Sequence, residues 1–132
     1  MEVVNVSLGS LQLLEVNINH QFHPIETLNN TKLEYKEIRS DVENVYLLII
    51  AEFDSSSIVD EYKLSIKISW DLKLSPKSSV DSELLWKASL MPLKHMDEII
   101  ATIYKNQDQR PKVKPPSYLD YKDELDDAVA QL

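Results

Sequence analysis

The sequence predicts an α+β domain: an antiparallel sheet built from its first 74 residues, then helices. Two observations carry that expectation. From Tyr62 to Leu74 every even position is apolar (Tyr62, Leu64, Ile66, Ile68, Trp70, Leu72, Leu74) and every odd position is polar. A period of two held over thirteen residues puts one face in a core and the other in water. Further on, Met96, Ile99, Ile100 and Ile103 recur at three- and four-residue spacings, the period of a helix.

The remaining strands follow from the same alternation. Val45, Leu47, Ile49, Ala51 and Phe53 share one face, while Leu48 and Ile50 make the other face apolar as well. Such a strand is expected at the centre of a sheet or covered on both sides. The short polar link Asp54 to Glu61 joins it to the Tyr62–Leu74 strand as an antiparallel hairpin. Thr31 to Ile38 alternates Leu33 and Tyr35 against Glu34 and Lys36. Near the N-terminus Val4, Val6 and Leu8 alternate, then Leu14, Val16 and Ile18, and Gly9-Ser10 between them reads as a bulge or tight turn. His20 to Asn30 holds Pro24 and a polar run, and reads as a loop.

In the second part, Leu84 to Met91 fits either a strand or a helix, and Pro92 either starts a helix or kinks one. Asn106 to Pro116 carries three prolines and is expected to be extended. Ser117 and Asp120 have the spacing of a helix N-terminus, and a last helix is predicted from Tyr118 to Gln131, with Leu125, Ala128 and Val129 on one side. Its remaining surface is acidic, with Asp120, Asp123, Glu124, Asp126 and Asp127 against Lys122 alone. The chain is thus expected to form a single domain over residues 1–132: strands to 74, a helix over 83–106, an extended crossover over 107–116 and a C-terminal helix over 117–132.

At 15.2 kDa a folded chain exposes about 7,100 Å², against about 22,000 Å² when open, so a real core is affordable in size. There is one glycine, Gly9, in the whole chain. Phosphate-cradling loops, dinucleotide fingerprints and nucleophile elbows all need more than that. No cysteine occurs, which excludes disulfides, thiolate metal sites and thiol catalysis. The longest apolar run, Val45 to Ala51, is far too short to span a bilayer, and no secretory signal pattern opens the chain; the expectation is a cytoplasmic protein that does not insert in membranes. The net charge of −8 repels nucleic acid and attracts cationic polypeptide.

Residues able to do chemistry are sparse. His20 and His23 are spaced like a pair of metal ligands but lack a third, and read as solvated loop residues. His95 sits between Lys94 and Met96 on a helix, a surface position. Asp60/Glu61, Asp97/Glu98 and Asp126/Asp127 are sequence neighbours and point apart, so nothing raises a carboxyl pKa for acid–base work. No enzyme activity, cofactor or metal is expected. Lys105, Arg110, Lys112 and Lys114 form a basic cluster that either balances the acidic C-terminus, sits as a solvated face, or binds a polyanion or acidic partner, the first two being the simpler readings.

What remains is apolar surface. Leu33, Tyr35, Tyr118, Leu119, Tyr121 and Leu125 form a tyrosine-rich group beyond the obvious sheet core. Such residues either close an ordinary core or serve as an interface for other chains.

The element order, together with three segments, resembles the SecB family of export chaperones and its SecB-like relatives. Leu90-Met-Pro-Leu-Lys-His-Met-Asp-Glu-Ile99 is similar to that family's long helix, with an apolar pair and proline midway. Arg110-Pro-Lys-Val-Lys-Pro-Pro-Ser-Tyr-Leu-Asp-Tyr121 is similar to its crossover entering the last helix, and Val45-Tyr46-Leu47 to the start of its central strand pair. The resemblance implies a four-stranded antiparallel sheet with a long proline-kinked helix and a short C-terminal helix on one face. It implies an ATP-independent holdase that binds extended apolar segments of unfolded or partly folded proteins. The implied groove is lined by Leu33, Tyr35, Val113, Tyr118, Leu119, Tyr121 and Leu125. It further implies a homo-oligomer, a dimer or a dimer of dimers, and raises a SecA-type export motor as a partner. The alternative is a non-catalytic adaptor with one dedicated partner, toxin–antitoxin- or phage-related.

Overall fold

Four strands form an open antiparallel sheet in the order β1-β4-β3-β2: β1 (Asn5–Ile18), β2 (Asn29–Ser40), β3 (Val45–Ser55) and β4 (Leu64–Ser75). The structure is a computed structural model that describes residues 4–18, 29–55, 64–105 and 111–132. The His20–Asn30 loop call, apart from its last two residues, lies outside them, as do His20, His23, Arg110, Tyr62 and most of the expected 54–61 link.

The central pair is the foundation. Val45, Leu47, Ile49, Ala51 and Phe53 stand directly opposite Leu74, Leu72, Trp70, Ile68 and Ile66. Opposed residues in an antiparallel pair share a face, so the ten side chains make one continuous apolar surface. Every one of them is at most 2% exposed. Full burial of such side chains stabilises by roughly 1.5–3 kcal/mol each before ordering costs. β3 is central, as its doubly apolar sequence requires, but its other face is not covered: Leu48 is 38% exposed and Ile50 half-buried.

The N-terminal segment is one strand, interrupted where the sequence breaks its alternation. Leu8 opposes Leu72 and Leu11 opposes Trp70, so Gly9 and Ser10 together face Asp71 alone. Asp71 Oδ1 accepts the Ser10 N–H at 2.6 Å and the Ser10 hydroxyl at 3.1 Å. A Cβ on Gly9 would lie 2.7 Å from both carboxylate oxygens, which explains glycine there. Between β2 and β3, Asp41 organises the turn. Its carboxylate accepts the Glu43 and Asn44 N–H groups at 3.0 and 2.8 Å and the Tyr46 hydroxyl at 2.9 Å. Those hydrogen bonds, the Glu43 N–H foremost, hold the Asp41 carboxyl well below the usual carboxylate range.

The helices are α1 (Ser82–Leu90), α2 (Leu93–Ile103) and α3 (Lys122–Ala130). Asp81 caps α1 by accepting the Leu84 N–H at 2.8 Å. The helix expected over 83–106 is two segments, broken at Met91-Pro92, because proline supplies no N–H to continue the ladder. Leu85, Trp86 and Ala88 of α1, Leu93, Met96 and Ile100 of α2, and Leu125 of α3 join the sheet residues in one core.

The C-terminal helix departs from expectation. It starts at Lys122, after a 3-10 turn over Tyr118–Asp120, and the Ser117 side chain makes no capping bond. In a 3-10 turn residues three apart eclipse, so Tyr118 and Tyr121 fall on one side. Packing of those rings, described below, outweighs the local capping signal.

Two stability experiments follow from the turn and the bulge. Gly9→Ala is expected to cost about 1 kcal/mol in urea unfolding by expelling the Asp71 carboxylate from Ser10, and Asp71→Ala is expected to remove most of that penalty in the double variant. The depressed Asp41 carboxyl contributes stability that is present above its unfolded value of 3.8 and is lost as pH falls below it. Asp41→Asn should therefore flatten the loss of stability on acidification below about pH 4, read by thermal melts from pH 6 to 2.

Candidate functional site

Both edges of the sheet carry apolar groups, and they are finished in opposite ways. At the β2 edge the tyrosine-rich group comes together. Leu33 and Leu125 are buried, and Tyr35, Tyr118 and Tyr121 are half-buried. Trp86 of α1 stacks on Tyr121 with ring centroids 5.3 Å apart and meets Tyr118 at 5.7 Å. Tyr35 meets Tyr121 edge-on at 6.2 Å. The tyrosine hydroxyls are all used. Tyr118 and Ser82 share a hydrogen bond of 2.9 Å. Tyr35 donates to Ser89 Oγ at 2.8 Å, and Ser89 donates to the Leu85 carbonyl at 2.6 Å. Burial pushes the Tyr35 phenol up to about 12.

The contact that defines this corner is to backbone. The Leu33 N–H donates to the Tyr121 hydroxyl at 3.0 Å. β2 is an edge strand, so this donor points away from its β3 partner, and the residue just before α3 supplies the acceptor that another strand would offer. Two of the expected groove residues stand apart from the cluster. Leu119 is 79% exposed. Val113 is half-buried on the stretch before α3, its N–H 3.4 Å from Asp97 Oδ1. The group expected to line an open groove therefore mostly packs against itself. Trp86, Ser82 and Ser89 complete the cluster; sequence reading missed them because the ambiguous Leu84–Met91 stretch hid which face of α1 meets α3.

At the opposite edge the apolar surface is open. Leu8, Leu11, Leu13 and Ile18 stand opposite Leu72, Trp70, Ile68 and Leu64 and so share the helix-covered face. The β4 residues of those pairs are at most 2% exposed, whereas Leu8 is 46%, Leu11 37%, Leu13 56% and Ile18 37% exposed. On the same face Val6 and Val16 are half-buried against the core, so cover is partial along β1 and lost at the leucine row. Leu14, at a second irregularity, adds a further 47% exposed leucine. Exposed leucines in one row form a patch on the order of a few hundred Å², the size at which exposed apolar surface marks an interaction site.

The two edges also differ in charge. Glu15 is the single charged residue of the 14-residue β1. β2 carries Lys32, Glu34, Lys36, Glu37 and Arg39, with Lys36–Glu34 and Arg39–Glu37 ion pairs of 2.9 and 2.8 Å. Charge, proline and short length are what normally protect a sheet edge from pairing with another chain, and β1 has almost none of them.

Among the described residues no group of three or more His, Asp or Glu side chains could hold a metal ion. His95 lies on the surface of α2, Nδ1 3.6 Å from Glu98 Oε2. Lys105, Lys112 and Lys114 are exposed. No described helix is long and apolar enough to cross a membrane.

No family model matches the chain, and no curated protein matches it. Among solved structures it is similar to the crystal structure of a protein of unknown function from Streptococcus agalactiae, with a TM-score of 0.56 and 9% identity over 86% of this chain and 98% of that one. At that identity the likeness is one of fold alone.

Tyr121→Phe keeps the ring stack but removes the acceptor for Leu33. It is expected to cost about 1 kcal/mol and to speed hydrogen exchange of the Leu33 amide selectively, measured by NMR.

Proposed function

We propose that this chain is a non-catalytic polypeptide-binding protein, an ATP-independent holdase of the SecB-like kind. The observation that carries the reading is the row Leu8, Leu11, Leu13 and Ile18 on an edge strand with one charge. An extended apolar segment would add to β1 as a further strand. Its backbone would pair with the free edge, and alternate side chains would lie along the leucine row. Burial at roughly 25 cal/mol per Å² drives such binding without a nucleotide, offset by the cost of ordering the client. The net charge of −8 keeps the empty protein soluble and favours cationic segments.

A second reading, a homo-oligomer, draws on the same edge. With Glu15 as its one charge, β1 offers little like-charge repulsion to a second β1 running antiparallel to it. Light scattering on a sizing column separates the cases, because a stable oligomer has a multiple of the 15.2 kDa mass.

The test is suppression of aggregation. Wild type at stoichiometric amounts is expected to reduce the light scattering of a protein diluted from guanidinium, and the double variant Leu11→Asp/Leu13→Asp to lose most of that effect while staying folded by circular dichroism. Wild type that leaves aggregation unchanged ends the holdase reading. Equal potency of the double variant moves the site away from β1.

A further inference from the structure

On the face of the sheet away from the helices, charge is arranged across the strands. Lys32 of β2 stands opposite Glu52 of β3, Glu52 opposite Lys67 of β4, and Lys67 opposite Glu15 of β1. Signs therefore alternate along one row through all four strands, and opposite charges on facing residues stabilise strand pairing. The row ends at Glu15 on the free edge, where a fifth strand would place the next residue. Glu15 is exposed. Among the described residues its carboxylate accepts a hydrogen bond from Asn17 Nδ2 and has no cation within ion-pair distance.

The edge strand is also two-sided. Gln12 and Asn17 stand opposite Ser69 and Ser65 and share the face of Glu15, whereas the leucine row lies on the other face. A strand added here meets apolar neighbours at alternate positions and hydrogen-bonding neighbours between them. The chain's own β4, on the inner side of β1, shows what this strand accepts as a neighbour. There Ser65, Lys67 and Ser69 alternate with Ile66 and Ile68, and Lys67 faces Glu15. A uniformly apolar segment would gain contact on one side only and set apolar side chains beside amides and a carboxylate on the other. A second copy's β1 has no Lys or Arg to set against Glu15.

We propose that the β1 edge selects an amphipathic strand, apolar at every second residue, with a lysine or arginine facing Glu15, and that Glu15 is the specificity-determining residue of that edge. The proposal rests on the reading of β1 as a polypeptide-binding edge, and it narrows the client from any extended apolar segment to an alternating one. Net charge attracts a cationic segment wherever it touches the protein, whereas pairing with Glu15 depends on that residue alone. Glu15→Lys separates the two. It reverses the local sign while the chain, at −8 plus 2, or −6, stays acidic.

The probes are short labelled peptides titrated against the full chain by fluorescence anisotropy. One alternates valine with threonine and carries lysine in place of the central threonine. A second has glutamate there, and a third has the composition of the first with its valines in one block. Wild type is expected to bind the lysine peptide about fivefold more tightly than the glutamate peptide, the gap narrowing as salt rises. Glu15→Lys is expected to invert that order and Glu15→Gln to erase it, both folding as wild type by circular dichroism because the side chain is exposed. The block peptide is expected to bind severalfold more weakly, and Leu11→Asp/Leu13→Asp to lose all peptide binding. A lysine preference that survives in both Glu15 variants overturns the assignment of Glu15 and leaves net charge as its source. Equal binding of the block and alternating lysine peptides overturns the selection for alternation. Aggregation suppression by wild type without peptide binding sinks this inference and leaves the holdase reading standing, and a Glu15-dependent peptide preference without suppression does the reverse.

Discussion

The width of the helical layer is the constraint on which the rest of this structure depends. Two helices of nine and eleven residues and a third of nine lie over one face of a sheet whose strands run eleven to fourteen residues. They seal β3 and β4 and reach β2 through α1 and the turn before α3, but on β1 they leave Leu8, Leu11, Leu13 and Ile18 exposed and only Val6 and Val16 half-buried. The same face is therefore sealed over the central pair and open at one margin. The contrast between Trp70 at 1% exposure and its neighbour Leu11 at 37% marks the boundary. Hydrophobic burial explains the sealed part. It also explains why an open row of leucines is the most informative surface on the molecule, since nothing in the described chain compensates for its contact with water.

Two edges of one sheet meet the same physical problem, unpaired backbone donors and acceptors, with different answers. At β2 the chain uses charge along the strand and a phenol from the residue that leads into α3. Tyr121 supplies an acceptor to the Leu33 N–H and a ring to Trp86, so one side chain joins sheet, α1 and α3. Removing the phenol alone would separate the polar from the aromatic part of that junction. At β1 the leucine row is open and Glu15 is the one charge, and the Gly9-Ser10 bulge, held by Asp71, interrupts the register without ending the pairing. Bulges usually help to keep an edge from being extended by another chain. Here the strand continues past the irregularity to Ile18.

Much of the fold was legible because strands write their environment into alternation. Tyr62 to Leu74 and Val45 to Phe53 announced a buried face, and Gly9-Ser10 announced the bulge. The kink at Pro92 was legible as a break, though not as the end of one helix and the start of another. The candidate site was less so. Leu33, Tyr35, Tyr118, Tyr121 and Leu125 were expected to meet, and they do, but whether they meet each other or water depends on where α3 docks. Ser117 carried a helix-start signal that the structure does not use, because eclipsing Tyr118 and Tyr121 onto Trp86 gains more contact than one capping bond. The β1 leucines were read as a strand and passed over as a surface. Alternation reports which residues share a face, not what lies on top of it.

By itself, the sequence determined the antiparallel strands, the buried face of the central hairpin and the acidity of the C-terminal segment. These rest on local periodicity and residue chemistry. Only the tertiary structure decided that β1 and β2 are the two edges, that the leucine row of β1 stays exposed, and that the C-terminal segment fills the tyrosine-lined corner. Strand order and layer width are set by contacts between residues far apart in the chain, and a pattern of period two or 3.6 carries no information about its distant neighbour.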